Sequence, residues 1–570
     1  MKRNKFLKSF WQLVRGYWSS EDKWKAGGLL FLVVLLTCLS VFMLVLLNNW
    51  YNDFYNALQG YHYELFWPLV GRFAFYAFIY IALAVYGIYL RQVLQLRWRI
   101  WMTDRYIGRW MGRQVYYRLQ VLGSDMDNPD QRISEDINQF VMLTLQLFAG
   151  LLKQVSTLAA FAVVLWNLSG ALTVPIGTES IHIYGYMLWF SLLYSVAGTY
   201  LAHRVGRELI GLDFNQQRYE ADFRFSMMRV RENSESIAFY GGEKPEKTGF
   251  GERFSNVIRN YWQLMKRTKL LNFYSNSYAQ LAIIVPLIMA APRYFSGEMQ
   301  LGGLMQTISA FGRVQDALSY FVESYDTVAQ LIAVTRRLSG FTEHMDEVSQ
   351  LETDVEREPG QGAVMSLQDF DVALPDGRVL LKGLNVSLPE ASRVLVTGNS
   401  GCGKSTLLRT LAGLWPFGHG HMALPEDARV LFLPQRPYLP LGSLRRAIYY
   451  PSEVPETKDE RLAEVLRLVG LERLVGCLDT VDDWSRILSL GEQQRIAFAR
   501  VLLEKPDWLF LDEATSALDE PREKAMYELL QRELPQMSIV SVGHRSTLFA
   551  QHDEELRLSG DGNWQLHPIA

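Results

Sequence analysis

The chain has only three cysteines, Cys38, Cys402 and Cys477, an odd and scattered set with neither disulfide-framework nor zinc-ligand spacing. All three are expected to be reduced thiols. A charge imbalance is also missing: 57 Lys and Arg stand against 60 Asp and Glu, a net charge of -3. That balance supplies no overall basic footprint for nucleic acid, and no nucleic-acid partner is expected. Internal repeats and low-complexity tracts are lacking too. The N-terminus MKRNKFLKSFWQLVRGYWSSEDKWKAGG is basic and amphipathic, but the apolar run after it has no small-residue cleavage signature, so it reads as a retained anchor and not a signal peptide.

Apolar sequence is what the chain has in abundance. With 49% hydrophobic and 13% aromatic residues in 570, it is too long and too apolar for one ordinary soluble domain. The run GGLLFLVVLLTCLSVFMLVLL, residues 27–47, carries no charge and is long enough as a helix to cross a bilayer core of roughly 30 Å. Five less pure stretches follow near 66–90, 146–169, 185–203, 278–296 and 303–325, which predicts six transmembrane helices.

Charge then sets the topology. Lys2, Arg3, Lys5, Lys8 and Arg15 precede the first span, seven arginines from Arg91 to Arg118 follow the second, and a basic series from Arg204 to Lys269 follows the fourth. NNWYNDFYNALQGYHYEL, SGALTVPIGTESIHIYGY and SGEMQLGG contain no Lys or Arg and are the expected outer loops. The N-terminus and everything after the sixth span are therefore expected in the cytoplasm, with lipid around the spans.

Residues 1–342 are thus expected to form the membrane domain and 343–363, EHMDEVSQLETDVEREPGQGA, a polar linker without periodic apolar residues. From 364 to 570 the apolar runs SRVLVTG, ARVLFLP, DWLFLDE and MSIVSVGH alternate with helical patterns, as in a mostly parallel α/β sheet.

Within that domain, GNSGCGKST lies between a strand and the helical run TLLRTLAG, the context a phosphate-binding loop demands. Gly398, Asn399, Ser400, Gly401, Cys402, Gly403, Lys404, Ser405 and Thr406 are the expected nucleotide-binding residues. The glycines let backbone N–H groups wrap the phosphates, Lys404 supplies a point charge, and the Ser405 hydroxyl can ligate Mg²⁺. WLFLDE ends a strand with Asp512, a second expected Mg²⁺ contact, and Glu513, placed to orient or deprotonate an attacking water. Cys402 sits where a helix dipole can lower a thiol pKa, although a small residue there more often fills a slot.

Many nucleotide-binding folds share these motifs, and LSLGEQQR, residues 488–495, discriminates among them because it resembles the ABC signature. Ser489 with Glu492 three residues on is also a capping box, so a well-capped helix start accounts for the same residues. On the signature reading, Ser489, Gly491 and Glu492 belong to the ATP site, with the Ser489 hydroxyl and Gly491 N–H offered to the γ-phosphate held by a facing subunit. Gln435 after ARVLFLP, Asp519 ending SALD, and His544 after SIVSVG match the Q-loop, D-loop and H-switch in order. The resemblance implies that Gln435 and His544 join Glu513 in catalysis, that Gln435 also contacts Mg²⁺, and that Asp519 helps hold ATP. Leu490 stands where the signature usually has a glycine. Leu374 replaces the aromatic residue that usually packs on adenine, with Phe370 the nearest substitute.

The membrane half carries its own resemblance in DNPDQRISEDI, residues 127–137, and SESIAFYGGEKPE, residues 234–246. These resemble the peroxisomal subfamily D transporters and their bacterial relatives of the SbmA/BacA type, including YddA-like proteins. NNWYNDFYNALQ and LSLGEQQR favour the bacterial branch. Membership implies an exporter-like six-helix ABC fold in a bacterial inner membrane, a coupling helix near Glu235–Glu243, and a dimeric half-transporter, expected as a homodimer, because one chain holds one phosphate loop and one signature.

In the sixth span, Gln306, Ser309, Arg313, Asp316, Ser319, Glu323 and Asp326 recur every three or four residues and form one polar stripe. Charge facing lipid is costly, so the stripe is expected to line a water-filled cavity unless its members pair internally. Such a cavity favours a hydrophilic solute over a lipid tail, which fits the corrinoid and peptide substrates that the resemblance to the bacterial relatives implies better than a fatty acyl compound. The alternatives are a lipid or fatty acyl transporter of the same fold, and an ATP-gated regulator or channel that does not pump.

Overall fold

The computed structural model describes residues 2–121, 128–176, 179–351, 354–360, 364–455 and 459–569. Its contacts form two units, one of Met1–Gly108 with Asn128–Thr342, the other of Arg109–Asp127 with Glu343–Ala570.

The first unit is helical. After α1 (Lys2–Trp18) come α2 (Lys23–Gln59), α3 (Tyr63–Met111), α4 (Ile137–Ser169), α5 (Tyr186–Glu232), the short α6 (Ser234–Tyr240), α7 (Glu243–Phe295), α8 (Leu301–Glu323) and α9 (Tyr325–Ser349). By length and composition, Lys23–Gln59, Tyr63–Val121, Pro129–Ser169 and Glu243–Phe295 are able to cross a membrane. In α5 and α8, Tyr, Ser and charged positions dilute the apolar signal. At 1.5 Å per residue the 47 residues of α5 and 53 of α7 extend roughly 70–80 Å, more than twice a bilayer core. The excess carries the basic series.

The core of this unit forms around α8, where Leu304, Ala310, Phe311 and Val314 pack against Leu44 of α2, Phe161 and Leu165 of α4, Met187 of α5 and Ala290 of α7. A polar knot accompanies it: the Gln306 amide donates to Asn49 Oδ1 at 2.9 Å, and Asn48 donates to the Gln306 carbonyl at 3.1 Å. The second expected outer loop contains a hairpin, β1 (Ala171–Ile176) against β2 (Glu179–Tyr184); Gly177 and Thr178 lie outside the described residues.

Of DNPDQRISEDI, Asp127 lies outside the described residues, and Arg132–Asp136 forms a π-helical turn. Asp136 is buried between two guanidiniums, accepting from Arg132 Nη1 at 2.8 Å and from Arg337 Nε and Nη2 at 2.9 and 2.6 Å. A carboxylate so enclosed survives burial because both its oxygens are hydrogen-bonded by charged donors.

The stretch expected as a linker is more ordered than its polarity suggests. Helix α9 runs through it to Ser349, with Leu338, Phe341, Met345 and Val348 buried at three- and four-residue spacing, and β3 (Asp354–Gly360) follows. Acidic residues between those apolar positions masked the period. Residues 352, 353 and 361–363 of that stretch lie outside the described residues.

The second unit carries two large sheets, besides a two-residue pairing of Gly442–Ser443 with Val481–Asp482. The strands β3, β4 (Met365–Ala373), β5 (Val379–Leu388) and β7 (Gly418–Pro425) form one, in the order β3-β7-β4-β5. The other contains β6 (Arg393–Gly398), β8 (Val430–Leu433), β9 (Trp508–Asp512), β10 (Ser538–Val542), β11 (Glu554–Leu558) and β12 (Trp564–Pro568), in the order β12-β11-β6-β10-β9-β8. All pairings of this sheet are parallel except β12 with β11. The four runs read as strands from sequence are β6, β8, β9 and β10. Helices α10 (Lys404–Leu411), α11 (Leu490–Glu504) and α12 (Glu520–Glu533) complete the frame around the site.

Candidate functional site

The order β6-β10-β9-β8 brings four loops to one edge of the parallel sheet, because parallel strands all end on the same side. Gly398 closes β6, Gly543 and His544 follow β10, Asp512 and Glu513 end β9, and Gln435 lies just after β8. The register of Asp512 against Val542 sets Glu513 beside the start of the His544 loop.

The loop Gly398–Gly403 adopts positive φ at Gly398 (141°), Gly401 (80°) and Gly403 (103°), and α10 begins at Lys404. At Gly398 a Cβ would stand 2.4 Å from the Leu558 carbonyl oxygen, so only glycine fits there. The Lys404 ammonium donates to the carbonyls of Gly398 (2.8 Å) and Asn399 (3.0 Å), which keeps the cation over the loop. Asn399 and Ser400 are exposed at its tip, and Thr406 is half-buried one turn into α10.

Ser405 Oγ donates to Asp512 Oδ1 at 2.8 Å. A hydroxyl and a carboxylate this close are the hard oxygen donors that suit Mg²⁺. Gln435 Nε2 donates to Glu513 Oε2 at 2.9 Å, so the structure joins Gln435 to the carboxylate expected to activate water. Glu513 holds a left-handed φ of 49°, fixed by its N–H bond to the Val542 carbonyl. A non-glycine residue kept in that region at a strand end is the kind of local strain that clusters at functional sites.

Behind these groups lie residues that motif reading did not single out. Gln494, fully buried on α11, donates to the Gln435 carbonyl (3.0 Å) and Ser516 Oγ (3.2 Å) and accepts from the Ala517 N–H (3.0 Å). Arg545, next to His544, donates to the carbonyls of Leu518 (2.7 Å) and Ser516 (2.9 Å). Buried Glu523 accepts from Thr515 and Thr547 and pairs with Arg545. Arg500 donates to the carbonyls of Tyr438 and Ala447 at 2.7 Å; burial pushes its pKa down to about 10, so it remains charged near neutral pH. Together they brace the Gln435 and Asp519 loops from behind.

At the start of α11 both halves of the capping box form: Glu492 N–H donates to Ser489 Oγ (3.4 Å), and the Ser489 N–H donates to Glu492 Oε2 (3.0 Å). The Glu492 carboxylate also accepts from Arg473. Burial alone would raise the Glu492 pKa, but the bonds from Arg473 and Ser489 more than offset it and hold it below the usual value. The side chain is therefore committed to the cap. The residue that demands close backbone approach is Gly491, where a Cβ would lie 3.1 Å from the Ala517 carbonyl oxygen, while Leu490 is half-buried. Asp519 caps α12 by accepting from the Arg522 N–H at 2.9 Å.

Burial decides two readings of the sequence. Phe370 has no exposed surface and belongs to the core with Leu408 and Phe510, so it is not available to stack on adenine. Cys402 is 4% exposed and packed in the same core, its thiol against Gly398 and its Cβ against Gly560. That burial favours the slot-filling role over a reactive thiol.

On α8, the structure separates the stripe. Gln306 turns into the bundle, whereas Arg313, Asp316 and Glu323 are exposed and Ser309 and Ser319 half-buried; Asp326, also exposed, belongs to α9. Phe311 and Val314 are fully buried on the other side. The expected coupling segment is α6, with Phe239 and Tyr240 at its tip 82% and 86% exposed.

With this geometry in hand, comparison with known proteins is specific. Residues 13–295 match the family described as ABC transporter transmembrane region 2, and residues 381–516 match the family described as ABC transporter. An uncharacterized ABC transporter ATP-binding protein of Haemophilus influenzae is 38% identical, over 98% of this chain and 93% of its own. The inner membrane ABC transporter ATP-binding protein YddA of Escherichia coli is 34% identical, over 95% and 96%. The human lysosomal cobalamin transporter ABCD4 is 30% identical, over 99% and 96%. A solved bacterial Atm1-family ABC exporter with ATP bound superposes with a TM-score of 0.72 at 17% identity, covering 95% of this chain and 94% of that one.

Proposed function

Because this chain belongs to the ABC transporter family, with YddA and subfamily D members among its relatives, we propose that it works as a homodimer that moves a hydrophilic solute across a bacterial inner membrane. It is a multi-pass membrane protein of exporter-type fold whose ATP hydrolysis is coupled to transport. In our reading the N-terminus and ATPase domain lie in the cytoplasm, as the basic segments favour.

Ser405 and Asp512 would hold Mg²⁺, which would supply positive charge to offset that of the ATP phosphates. Lys404 and the loop N–H groups hold the phosphates, and Glu513, oriented by Gln435, takes the proton of the attacking water while His544 approaches from the adjoining strand end. Ser489 and Gly491 act on the ATP held by the second subunit. Closure and release of the paired domains would reach the spans through α6.

The observation that carries the solute class is the exposed Arg313, Asp316 and Glu323 on a helix whose opposite side is the bundle core. Charges on a spanning helix that do not face the core need water, not lipid. The name of the cobalamin-transporting relative supports a polar, corrinoid-like solute. In lipid, hydrophilic candidates such as corrinoids and peptides are expected to stimulate the ATPase and to be moved vectorially in vesicles. Stimulation by fatty acyl compounds alone would overturn the solute class, and ATP-dependent leakage without accumulation would favour a channel.

The cavity itself has a direct check. In a background without Cys38, Cys402 and Cys477, Ser309→Cys, Arg313→Cys and Asp316→Cys are expected to react with a membrane-impermeant thiol reagent, and Phe311→Cys, Val314→Cys and Leu318→Cys are not. ATP with vanadate should change the reactive set. Protection of all six positions in every state would mean a dry interior.

A further inference from the structure

We propose that Glu356, Glu358 and His421 form a binding site for a divalent transition metal, which clamps the edge strand β3 onto β7. The site lies on the exposed face of the four-stranded sheet, apart from Ser405 and Asp512.

Alternate residues of a strand share a face, so the Glu-x-Glu of β3 puts both carboxylates on one side, and the His-Gly-His of β7 does the same for His419 and His421. The two strands run parallel with Glu356 opposite His421 and Glu358 opposite Ala423, which brings the three side chains together. Their ligand atoms all lie within 4.8 Å of one another, and His421 Nδ1 is 3.0 Å from Glu356 Oε2. Zinc holds nitrogen and carboxylate oxygen at about 2.0–2.2 Å, so tetrahedral ligands sit roughly 3.4 Å apart. Exposed side chains reach that spacing by small rotations.

The backbone beneath is shaped for this face. Gly420 has a φ of 122°, and a Cβ there would stand 2.5 Å from the Asp369 carbonyl oxygen. It opposes a bulge in β4, where Gln368 pairs with His421 and Asp371 with His419 while Asp369 and Phe370 fall between. The bulge sets Asp371 Oδ2 3.6 Å from His419 Nδ1 and leaves His421 to the β3 carboxylates.

An ordinary surface ion pair would need one carboxylate for His421. Two beside one another on an exposed edge repel, and a divalent cation removes that repulsion. Imidazole with two carboxylates selects zinc-like ions over Mg²⁺, which prefers oxygen and retains water. The strand also has need of a clamp: among the seven residues of β3 only Val355 is buried, and among the described residues β7 is its one neighbour in the sheet.

The test uses the full-length, tag-free protein in lipid nanodiscs without nucleotide, titrated with Zn²⁺ against a chelating chromophore. A single site per chain is expected, unaffected by millimolar Mg²⁺. His421→Ala and Glu356→Gln should each weaken it by about tenfold or more, at least the loss that follows removal of a ligand's supporting partner. Zn²⁺ should slow amide exchange across β3 in the wild type and not in His421→Ala, while both variants retain basal Mg²⁺-ATPase activity. Equal Zn²⁺ affinity in wild type and variants, the absence of a stoichiometric site, or unchanged β3 exchange would overturn the proposal.

Discussion

Glu513→Gln is expected to bind ATP normally and to lose hydrolysis by roughly 100-fold or more, the usual contribution of a positioned general base. Glutamine keeps the size of the side chain and still presents an oxygen to Gln435 Nε2, so the site geometry built on that 2.9 Å bond is retained. The backbone bond to Val542 that fixes the residue is untouched. What disappears is the capacity to take a proton. Steady-state ATPase assays on the reconstituted protein, paired with binding of a fluorescent nucleotide, separate the two effects. Near-normal turnover would remove Glu513 from its assigned role.

The nucleotide end of the molecule was legible in the sequence for a physical reason. A parallel sheet buried on both faces demands nearly continuous apolar runs, and a loop that wraps phosphate demands glycine at set positions, so VLVT, VLFL, WLFLD and SIVSV marked their strands and GNSGCGKST its loop. The bracing residues were harder to see. Gln494 and Arg545 act largely through backbone carbonyls and N–H groups of distant loops, and a hydrogen bond to backbone leaves no type or spacing at the other end. Their positions next to recognised motifs, two residues past Glu492 and one past His544, are the only local hint.

In the membrane half, six apolar stretches and the Arg and Lys asymmetry conveyed the order of helices, because hydropathy and interfacial charge are properties of single segments. Which polar residue faces what is a property of pairs. Gln306 fits the three-and-four period with Arg313 and Asp316, yet Asn49 of α2 turns it inward. Likewise the period of Phe341, Met345 and Val348 was hidden among acidic residues until burial revealed it.

Mixing two inactive proteins should restore activity. Lys404→Ala removes the phosphate-loop cation, and Ser489→Arg puts a bulky charge where the signature would meet the γ-phosphate. If each ATP is held by the loop of one subunit and the signature of the other, both sites are broken in either homodimer. In a mixed dimer one site collects both lesions and the other is intact. Random pairing from equal amounts makes half the dimers mixed, each with one working site of two, so about a quarter of wild-type ATPase activity is expected if the sites act independently. The structure favours this division because Ser489 is exposed and its side chain bonds Glu492 of the same cap, while Lys404, Ser405, Gln435, Asp512 and Glu513 are engaged at the sheet edge. The arginine also removes the Ser489 cap, a loss of about 1 kcal/mol, so dimer formation and nucleotide binding by the Ser489→Arg protein are the control for folding. Should tagged mixed dimers be isolated, bind nucleotide and still show no more hydrolysis than either parent, the sites are not shared between subunits.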